Sequence, residues 1–147
     1  MNKYPVWWDT TITVFNKYED PQTQVVRWFS HTVDRCFWKY TGDKIKVGDT
    51  ILESNSTICR IPKQDNFLER FEWEKQPNDK MEQYLTLGVG DIVIKGAVDD
   101  EVDEYTSGKR SADLIKKYKS LGCIEIESVS LNVGPGRCDE HYHIRGL

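Results

Sequence analysis

The opening part of the chain alternates short β-prone runs with turn residues. Residues 10–15 read Thr-Thr-Ile-Thr-Val-Phe and residues 25–29 read Val-Val-Arg-Trp-Phe, compositions that are typical of strands. Glu19-Asp20-Pro21 lies between them and supplies turn chemistry. The two runs therefore predict a β-hairpin.

Further β-prone segments follow the hairpin. They occupy residues 36–40, 44–47, 51–53 and 56–61. Polar pairs that favour turns separate them, namely Gly42-Asp43, Gly48-Asp49 and Ser54-Asn55. Pro62 has no N–H for a strand ladder, so it should end the last segment.

Residues 63–80 follow no single periodicity. Asn66 followed by Glu69 resembles a helical capping box, and Phe67 and Phe71 have the i,i+4 spacing of one helix face. Phe71-Glu72-Trp73 equally alternates like a strand. We therefore expect a loop excursion closed by a Pro-Asn-Asp turn, and we leave one or two helical turns open within it.

The second half of the chain begins with two more β-prone runs. Tyr84-Leu85-Thr86-Leu87 predicts a strand, Gly88-Val89-Gly90-Asp91 a tight turn, and Ile92-Val93-Ile94-Lys95-Gly96 a second strand. Residues 97–108 are rich in acidic and small residues, so an acidic loop is expected there.

One amphipathic helix is predicted at about residues 111–121. Ser111 is a suitable N-cap, Asp113 suits the first turn, and Gly122 stops the helix. Its apolar stripe comprises Leu114, Ile115, Tyr118 and Leu121. A helix of this length is unstable alone, so it should pack on the sheet.

The last part of the chain shows a change of phase. Ile124 and Ile126 share one parity, whereas Val129 and Leu131 share the other, which predicts a β-bulge near Glu127-Ser128. Gly134-Pro135-Gly136 then reverses the chain into a strand at residues 141–146. The predicted fold is mainly β: a small antiparallel barrel or sandwich in one domain, residues 1–147, with one short helix and long loops.

Composition narrows the class of protein. The length of 147 residues suits one domain, and a formal charge of −4 argues against nonspecific nucleic-acid binding, which needs a basic face. No apolar run reaches the roughly eighteen residues of a membrane span, and the first residues lack a secretory signal, so a cytoplasmic origin is expected. The four cysteines form no Cys-x-x-Cys pair, so reduced thiols are expected.

One cluster resembles a metal site. His141 and His143 lie two apart on a predicted strand and should share a face, with Cys138 and Glu140 close in sequence. Zinc needs three or four ligands and a supporting shell, and the remaining histidine, His31, is distant in sequence. We interpret the cluster as polar strand residues that face solvent or a neighbouring subunit, and we predict no metal and no cofactor.

The acidic loop offers a second candidate. Its carboxylates are Asp99, Asp100, Glu101, Asp103 and Glu104. Their spacing lacks the EF-hand pattern, so a calcium site is not predicted. Three interpretations stay open: a solvated loop, a negative rim or contact with a basic partner surface, or a metal site of another kind.

Other motifs point away from catalysis. Gly88-Val89-Gly90 lacks the Gly-Lys-Ser/Thr and the helix N-terminus of a phosphate loop, so it is interpreted as a turn. The five tryptophans could form a stacking platform, but their aliphatic neighbours favour core positions. No Gly-x-Ser-x-Gly or similar nucleophile pattern occurs, and the chain is predicted not to be an enzyme.

The order of these elements resembles a known family. Residues 85–96, the 111–121 helix, the strand at 129–132 and the closing strand at 141–146 together look like the small head-closure proteins (stopper or minor capsid proteins) of tailed bacteriophages and prophages of Gram-positive bacteria. The opening residues, 7–20, are similar to prophage-encoded proteins of this size. The excursion at 63–80 and the aromatic-rich amino terminus depart from that pattern.

The resemblance implies a β-barrel that assembles into a homo-oligomeric ring in the virion neck. Such a ring lies between the portal-bound connector protein and a tail-completion or tail-tube protein. It retains packaged DNA, which passes through without sequence-specific binding, and it involves no membrane. The implied location is the virion, after synthesis in the bacterial host cytoplasm.

The resemblance also suggests where subunits would meet. Phe67, Phe71 and Trp73 in the excursion are candidates for an apolar contact between subunits. Asp99, Asp100, Glu101, Asp103 and Glu104 suit a lumen or a subunit contact, because their charge repels phosphates.

Two alternatives remain beside the head-closure interpretation. The first is a sister role in the same particle, as a tail-completion or minor tail protein. The second is a small barrel that binds a ligand or nucleic acid, or a metal-dependent enzyme.

Overall fold

A computed structural model describes residues 5–132 and 141–147, with residues 41–47, 51–55, 78 and 132 described by their main chain alone. The strands are β1 Thr10–Glu19, β2 Val26–Val47, β3 Thr50–Pro62, β4 Ile92–Lys95, β5 Cys123–Asn132 and β6 His141–Gly146. They close into an antiparallel barrel in the order β1-β2-β3-β6-β5-β4. This confirms the mainly β fold and, of the two predicted architectures, the barrel.

Alternating apolar side chains fill the barrel, because successive residues of a strand point to opposite faces. The interior residues are Ile12, Val14, Val33, Cys36, Cys59, Ile61, Val93, Ile124, Ile126, Tyr142 and Ile144. A second apolar cluster lies on the outer face of β1 and β4, where Phe15, Ile92 and Ile94 are covered by Leu114. The barrel therefore has an inner core and an outer layer.

The predicted hairpin at the start of the chain is confirmed. β1 and β2 pair antiparallel from Glu19↔Val26 to Thr10↔Cys36. The Asp20 carboxylate accepts the Gln22 and Thr23 N–H groups at 2.8 and 3.2 Å, which fixes the turn.

β2 and β3 are longer than the separate strands expected at residues 36–61. The turns predicted at Gly42-Asp43 and Ser54-Asn55 are wrong, because these residues face each other across one ladder, Gly42↔Asn55 and Asp43↔Ser54. The chain reverses only at Gly48-Asp49, where Gly48 has a φ of 61°. We call the end of this hairpin, residues 41–55, the β2–β3 arm.

The β-bulge predicted near Glu127-Ser128 is confirmed. The β5–β6 register shifts there, from Ile126↔Gly146 to Ser128↔Arg145. A Cβ at Gly146 would overlap the Glu125 carbonyl oxygen, so the bulge needs glycine on the facing strand. The turn predicted at residues 134–136 lies outside the described residues.

The strand predicted at Tyr84-Leu85-Thr86-Leu87 is wrong. The segment forms a single isolated bridge, between Leu85 and Phe67. Leu85, Thr86 and Leu87 are all buried, so the run enters the core instead of presenting alternate faces. Only the following run forms a strand, β4.

Two short helices occupy the excursion that was left open, α1 Arg70–Glu74 and α2 Asn78–Met81. The strand alternative for Phe71-Glu72-Trp73 is therefore wrong. The capping box proposed for Asn66 and Glu69 is also wrong, since Glu69 is itself the N-cap residue of α1 and makes no side-chain cap bond.

The third helix, α3 Ser111–Tyr118, confirms the predicted helix with a shorter end. Ser111 is its first residue instead of its cap, and the Ser111 N–H donates to Glu104 Oε1 at 3.0 Å. Asp113 accepts the Arg110 N–H at 3.2 Å. Leu114 packs on the sheet as expected, whereas Leu121 lies beyond the helix and is exposed.

Candidate assembly surfaces

The segment between β3 and β4, residues 63–91, folds back over one end of the barrel; we call it the plug segment. Leu85 and Leu87 join the interior core. Phe67 stacks on the interior residue Tyr142, with ring centroids 4.0 Å apart. The plug segment thereby closes the end of the barrel at which β6 begins.

Trp73 is the largest side chain that the plug segment contributes. Its ring meets Phe29 and Tyr18 edge to face at centroid distances of 5.7 and 6.0 Å. Its indole N–H donates to the Met81 carbonyl at 3.1 Å, so its one polar atom is satisfied. Trp73 therefore holds both short helices against the β1–β2 hairpin.

A buried carboxylate, Asp91, fastens the other end of the plug segment. Arg70 Nη1 lies 2.8 and 2.7 Å from its two oxygens, and Asn16 Nδ2 donates at 2.9 Å. The main-chain N–H groups of Lys17 and Gly88 donate at 2.9 and 3.1 Å. With four donors the carboxylate is close to saturated, so it has little capacity left for a substrate.

The same network ties the plug segment to β1. Asn16 Nδ2 donates to the Thr86 carbonyl at 2.6 Å, and Arg70 Nη2 donates to the Lys17 carbonyl. A Cβ at Gly88 would lie 3.0 Å from Arg70 Nη1, which explains why glycine stands in the predicted turn. That turn is confirmed, with the Asp91 N–H donating to the Gly88 carbonyl at 3.1 Å.

The electrostatics of this network are those of a buried ion pair. Burial raises the pKa of Asp91, and the Arg70 guanidinium, the Lys17 N–H and the Asn16 amide oppose that rise. Removing Arg70 would leave a buried charge without compensation, which is costly. We interpret the Arg70–Asp91 pair as structural.

The three aromatic residues proposed for a subunit contact differ in how far they are buried. Trp73 is fully buried and Phe67 is half-buried, so both stabilise their own chain. Phe71 is 68% exposed, and Lys75 Nζ lies 4.0 Å from its ring centroid. Of the three residues proposed for an apolar contact between subunits, Phe71 is the one whose side chain a partner could reach.

Two of the five acidic candidates tie the acidic loop to other elements of their own chain. Asp100 lies 2.7 Å from Lys117 Nζ and accepts a hydrogen bond from the Tyr118 hydroxyl. The hydrogen bonds from Lys117 and Tyr118 lower the pKa of Asp100. Glu104 accepts the Trp28 indole N–H at 3.1 Å as well as the N–H at the start of α3, so it joins the loop to the barrel.

The remaining acidic candidates face solvent. Asp103 accepts the Thr106 hydroxyl at 2.7 Å and the Tyr105 N–H at 2.9 Å, which shapes the loop. Asp99 and Glu101 are exposed, and within the described residues neither forms a hydrogen bond or ion pair. Asp99 and Glu101 are therefore the carboxylates of this loop that a partner could reach, and Lys109, Arg110 and Lys117 line the same hollow.

A groove of about 660 Å³ opens at the end of the barrel opposite the plug segment. Trp38 and Tyr40 of β2 form one wall, and Leu121 and Leu147 are on the other side. Two cations, Lys95 and Lys119, line it as well. The side chains of Tyr40, Leu121 and Leu147 are exposed, so this end of the barrel lacks an internal cover.

The histidines do not form a metal site in the part of the chain that the structure describes, where no group of three or more metal-binding side chains occurs. His141 and His143 share a face of β6, as predicted, and the intervening Tyr142 points into the barrel. Trp8 meets the His141 ring edge to face at 5.2 Å. Cys138 and Glu140 lie outside the described residues.

Most tryptophans serve the core, as the sequence suggested. Trp8 and Trp73 are fully buried, and Trp28 and Trp38 pack partly against the two main clusters. Trp7 is the exception, because its side chain is exposed.

None of the helices among residues 5–132 and 141–147 is long and apolar enough to cross a membrane.

Sequence reasoning missed the Arg70–Asp91–Asn16 network. One signal was present: Asn16 continues the inward parity of Ile12 and Val14, so a polar residue occupies a core position. A buried amide requires hydrogen-bond partners. Which partners it finds depends on the path of the plug segment, and the sequence does not reveal that path.

Comparison with known proteins places the chain in a family. No curated protein and no solved structure matches it. A family of unknown function, DUF6751, matches residues 7–147. The match spans both layers of the barrel, the plug segment and the acidic loop, so the chain belongs to the DUF6751 family.

Proposed function

We propose that this chain is a non-enzymatic structural protein of a tailed-phage virion, a head-closure protein that forms a ring between the portal-bound connector and the tail. The order of its elements supports this role, as does a closed barrel whose buried carboxylate, Asp91, is occupied by internal contacts. The single observation that carries the proposal is the β2–β3 arm.

The arm pairs only with itself within the described part of the chain. Its ladder runs from Thr41↔Ser56 to Val47↔Thr50, whereas β1 pairs with β2 only as far as Cys36 and β6 pairs with β3 only from Thr57. At about 3.3 Å per residue the arm extends about 20 Å beyond the barrel. A two-stranded ribbon is marginal in water, so it gains stability by docking on another molecule.

The charge of the chain agrees with a conduit for DNA. The formal charge is −4, and Asp99 and Glu101 are exposed on the acidic loop. A ring of such chains with a net negative lumen repels phosphates, so DNA slides through without adhering.

Electron microscopy of particles from the encoding phage or prophage tests the proposal. Gold-labelled antibody against this chain should mark the junction of head and tail. Particles made without the protein should show heads that lose their DNA, because the neck is not closed.

Two other outcomes would change the assignment. Label along the tail or at its distal end would favour the tail-completion or minor tail alternative. Purified particles in which mass spectrometry detects no copy of the chain would contradict both particle roles.

A ligand-binding barrel is the second candidate, and the open groove favours it. Its volume of about 660 Å³ falls in the range of small-molecule sites, and it combines Trp38 and Tyr40 with the cations Lys95 and Lys119. Such a lining suits an aromatic anion. Titration of the native Trp fluorescence with aromatic carboxylates tests this, and Lys95→Gln with Lys119→Gln should abolish any response.

A further inference from the structure

The second half of β5 has a free edge. β4 pairs with β5 over Ile92↔Glu125 to Ile94↔Cys123, and the Asp91 carbonyl accepts the Ile126 N–H at 2.8 Å. After the bulge, β5 pairs with β6 alone as far as Asn132. No strand or loop of the described chain hydrogen-bonds the other edge of residues 128–132.

Natural edge strands are commonly protected by charged residues or proline. Residues 128–132 read Ser-Val-Ser-Leu-Asn, with no charge and no proline. Val129 and Leu131 lie opposite Ile144 and Tyr142, so they share the apolar face of β6. They are nevertheless 37% and 51% exposed, because β4 ends before it can cover them.

The β2–β3 arm has the complementary property. It offers two strands, residues 41–47 and 50–55, whose outer edges have no partner in the described structure and which are long enough to span the five-residue edge. Its sequence carries Ile45, Val47, Ile51 and Leu52, which suits an apolar neighbour.

The arm and the free edge lie at opposite ends of β6. The arm leaves the barrel where Thr57 pairs with Gly146, whereas β5 ends where Asn132 pairs with His141. An arm cannot reach the free edge of its own chain without leaving β3. Two different surfaces that meet between copies form a heterologous interface, which closes into a ring when the rotation allows.

We propose that the β2–β3 arm of a second copy of this chain pairs along the free edge of β5, adding strands beside Ser128–Leu131 and covering Val129 and Leu131. The main-chain ladder supplies affinity and the two apolar side chains fix the register. This contact deepens the proposed ring and rests on that function, but it is testable in the purified chain without any virion.

Photo-cross-linking tests the contact. A benzoyl-phenylalanine at Ser130 in an isotopically light chain, mixed with heavy chain carrying no probe, should give light–heavy cross-links after irradiation. Peptide mapping should place them in residues 41–55. Cross-links to residues 123–132 of the other copy would instead indicate symmetric pairing of two β5 edges and would overturn the inference.

A matched pair of variants measures the energetic role. Val129→Lys with Leu131→Lys should reduce the light–heavy cross-link yield at least tenfold, because edge lysines oppose strand addition. Val25→Lys with Val89→Lys changes two other exposed valines and should leave the yield unchanged. Thermal unfolding of each variant checks that the fold persists.

The remaining outcomes separate this inference from the proposed function. No intermolecular cross-link at the highest soluble concentration overturns the contact, even if the chain is found in the virion neck. Cross-links to the arm in a chain that no virion contains support the contact and overturn the phage role.

Discussion

The plug segment and the β2–β3 arm both leave the barrel, yet they end in opposite ways. The plug segment returns to the core, where Trp73 is buried and Asp91 is held by Arg70. The arm pairs only with itself in the described structure, and nearby Tyr40 is 63% exposed. Both segments adjoin long β-prone stretches of sequence. What distinguishes them is how much of their own surface they bury against the barrel.

The comparison separates residues that stabilise the chain from residues that are available to a partner. Aromatic and charged side chains occur in both regions, so residue type alone does not assign a role. Burial and hydrogen-bond saturation do assign it, because a side chain already enclosed has no surface to offer. Variants that act on one region and spare the other test the division.

The largest effect is expected from Trp73→Ala. Removing a fully buried indole leaves a cavity against Phe29 and Tyr18, which should lower the free energy of unfolding by about 3–5 kcal/mol. Phe71→Ala, in the same helix but exposed, should change it by no more than about 0.5 kcal/mol. Urea denaturation measures both, and equal losses would erase the distinction between the two aromatics.

A smaller loss is expected from Arg70→Met. The variant leaves Asp91 buried without its cation, and we expect a loss of about 2–3 kcal/mol, moderated because Arg70 itself is 26% exposed. Lys75→Met is the matched control, since it breaks an exposed pair with Glu72 at 3.8 Å and should cost no more than about 0.5 kcal/mol. Chemical denaturation at pH 7 compares the two variants. If the Arg70 variant is as stable as the control, the Arg70–Asp91 pair does not fasten the plug segment.

β6 was readable from the sequence because its buried and exposed residues alternate, and the β5 bulge was readable because the parity of its apolar residues changes. β1 and β4 are buried on both faces, and their β-branched and aromatic composition identified them instead. The composition of residues 42–43 and 54–55 predicted turns where the structure has continuous strands. Their turn propensity is overridden where each pair lies opposite the other in one ladder, since the main-chain bonds are satisfied either way.

The plug segment was not readable for a different reason. Leu85, Thr86 and Leu87 are buried on every side, so the run carries no periodicity to interpret. Trp73 stayed ambiguous between a core position and a subunit contact, because a helical aromatic looks the same in sequence whether it faces a core or a partner. Long-range contacts with β1 and β2 decide it.

A pH experiment distinguishes a fastened acidic residue from an unfastened one. The hydrogen bonds from Lys117 and Tyr118 lower the pKa of Asp100 below its unfolded value, so its stabilising contribution is present above about pH 4 and is lost as the pH falls through the folded pKa. Asp100→Asn should therefore destabilise the chain at pH 6, with the difference from the original chain shrinking towards pH 3. Asp99→Asn, in the same loop but without a hydrogen bond or ion pair within the described residues, should leave the free energy of unfolding at pH 6 unchanged in urea denaturation.

The smallest effect on stability is expected from shortening the arm. Deleting residues 43–46 and 51–54 removes four facing pairs, an even number that keeps the remaining side chains on their original faces. The Gly48-Asp49 turn is retained. Because the arm pairs only with itself in the described structure, the free energy of unfolding should change by no more than about 0.5 kcal/mol, while light–heavy cross-linking from position 130 should disappear. A loss comparable to that of Trp73→Ala would mean that the arm stabilises its own barrel as the plug segment does, and the two excursions would then differ in shape but not in role.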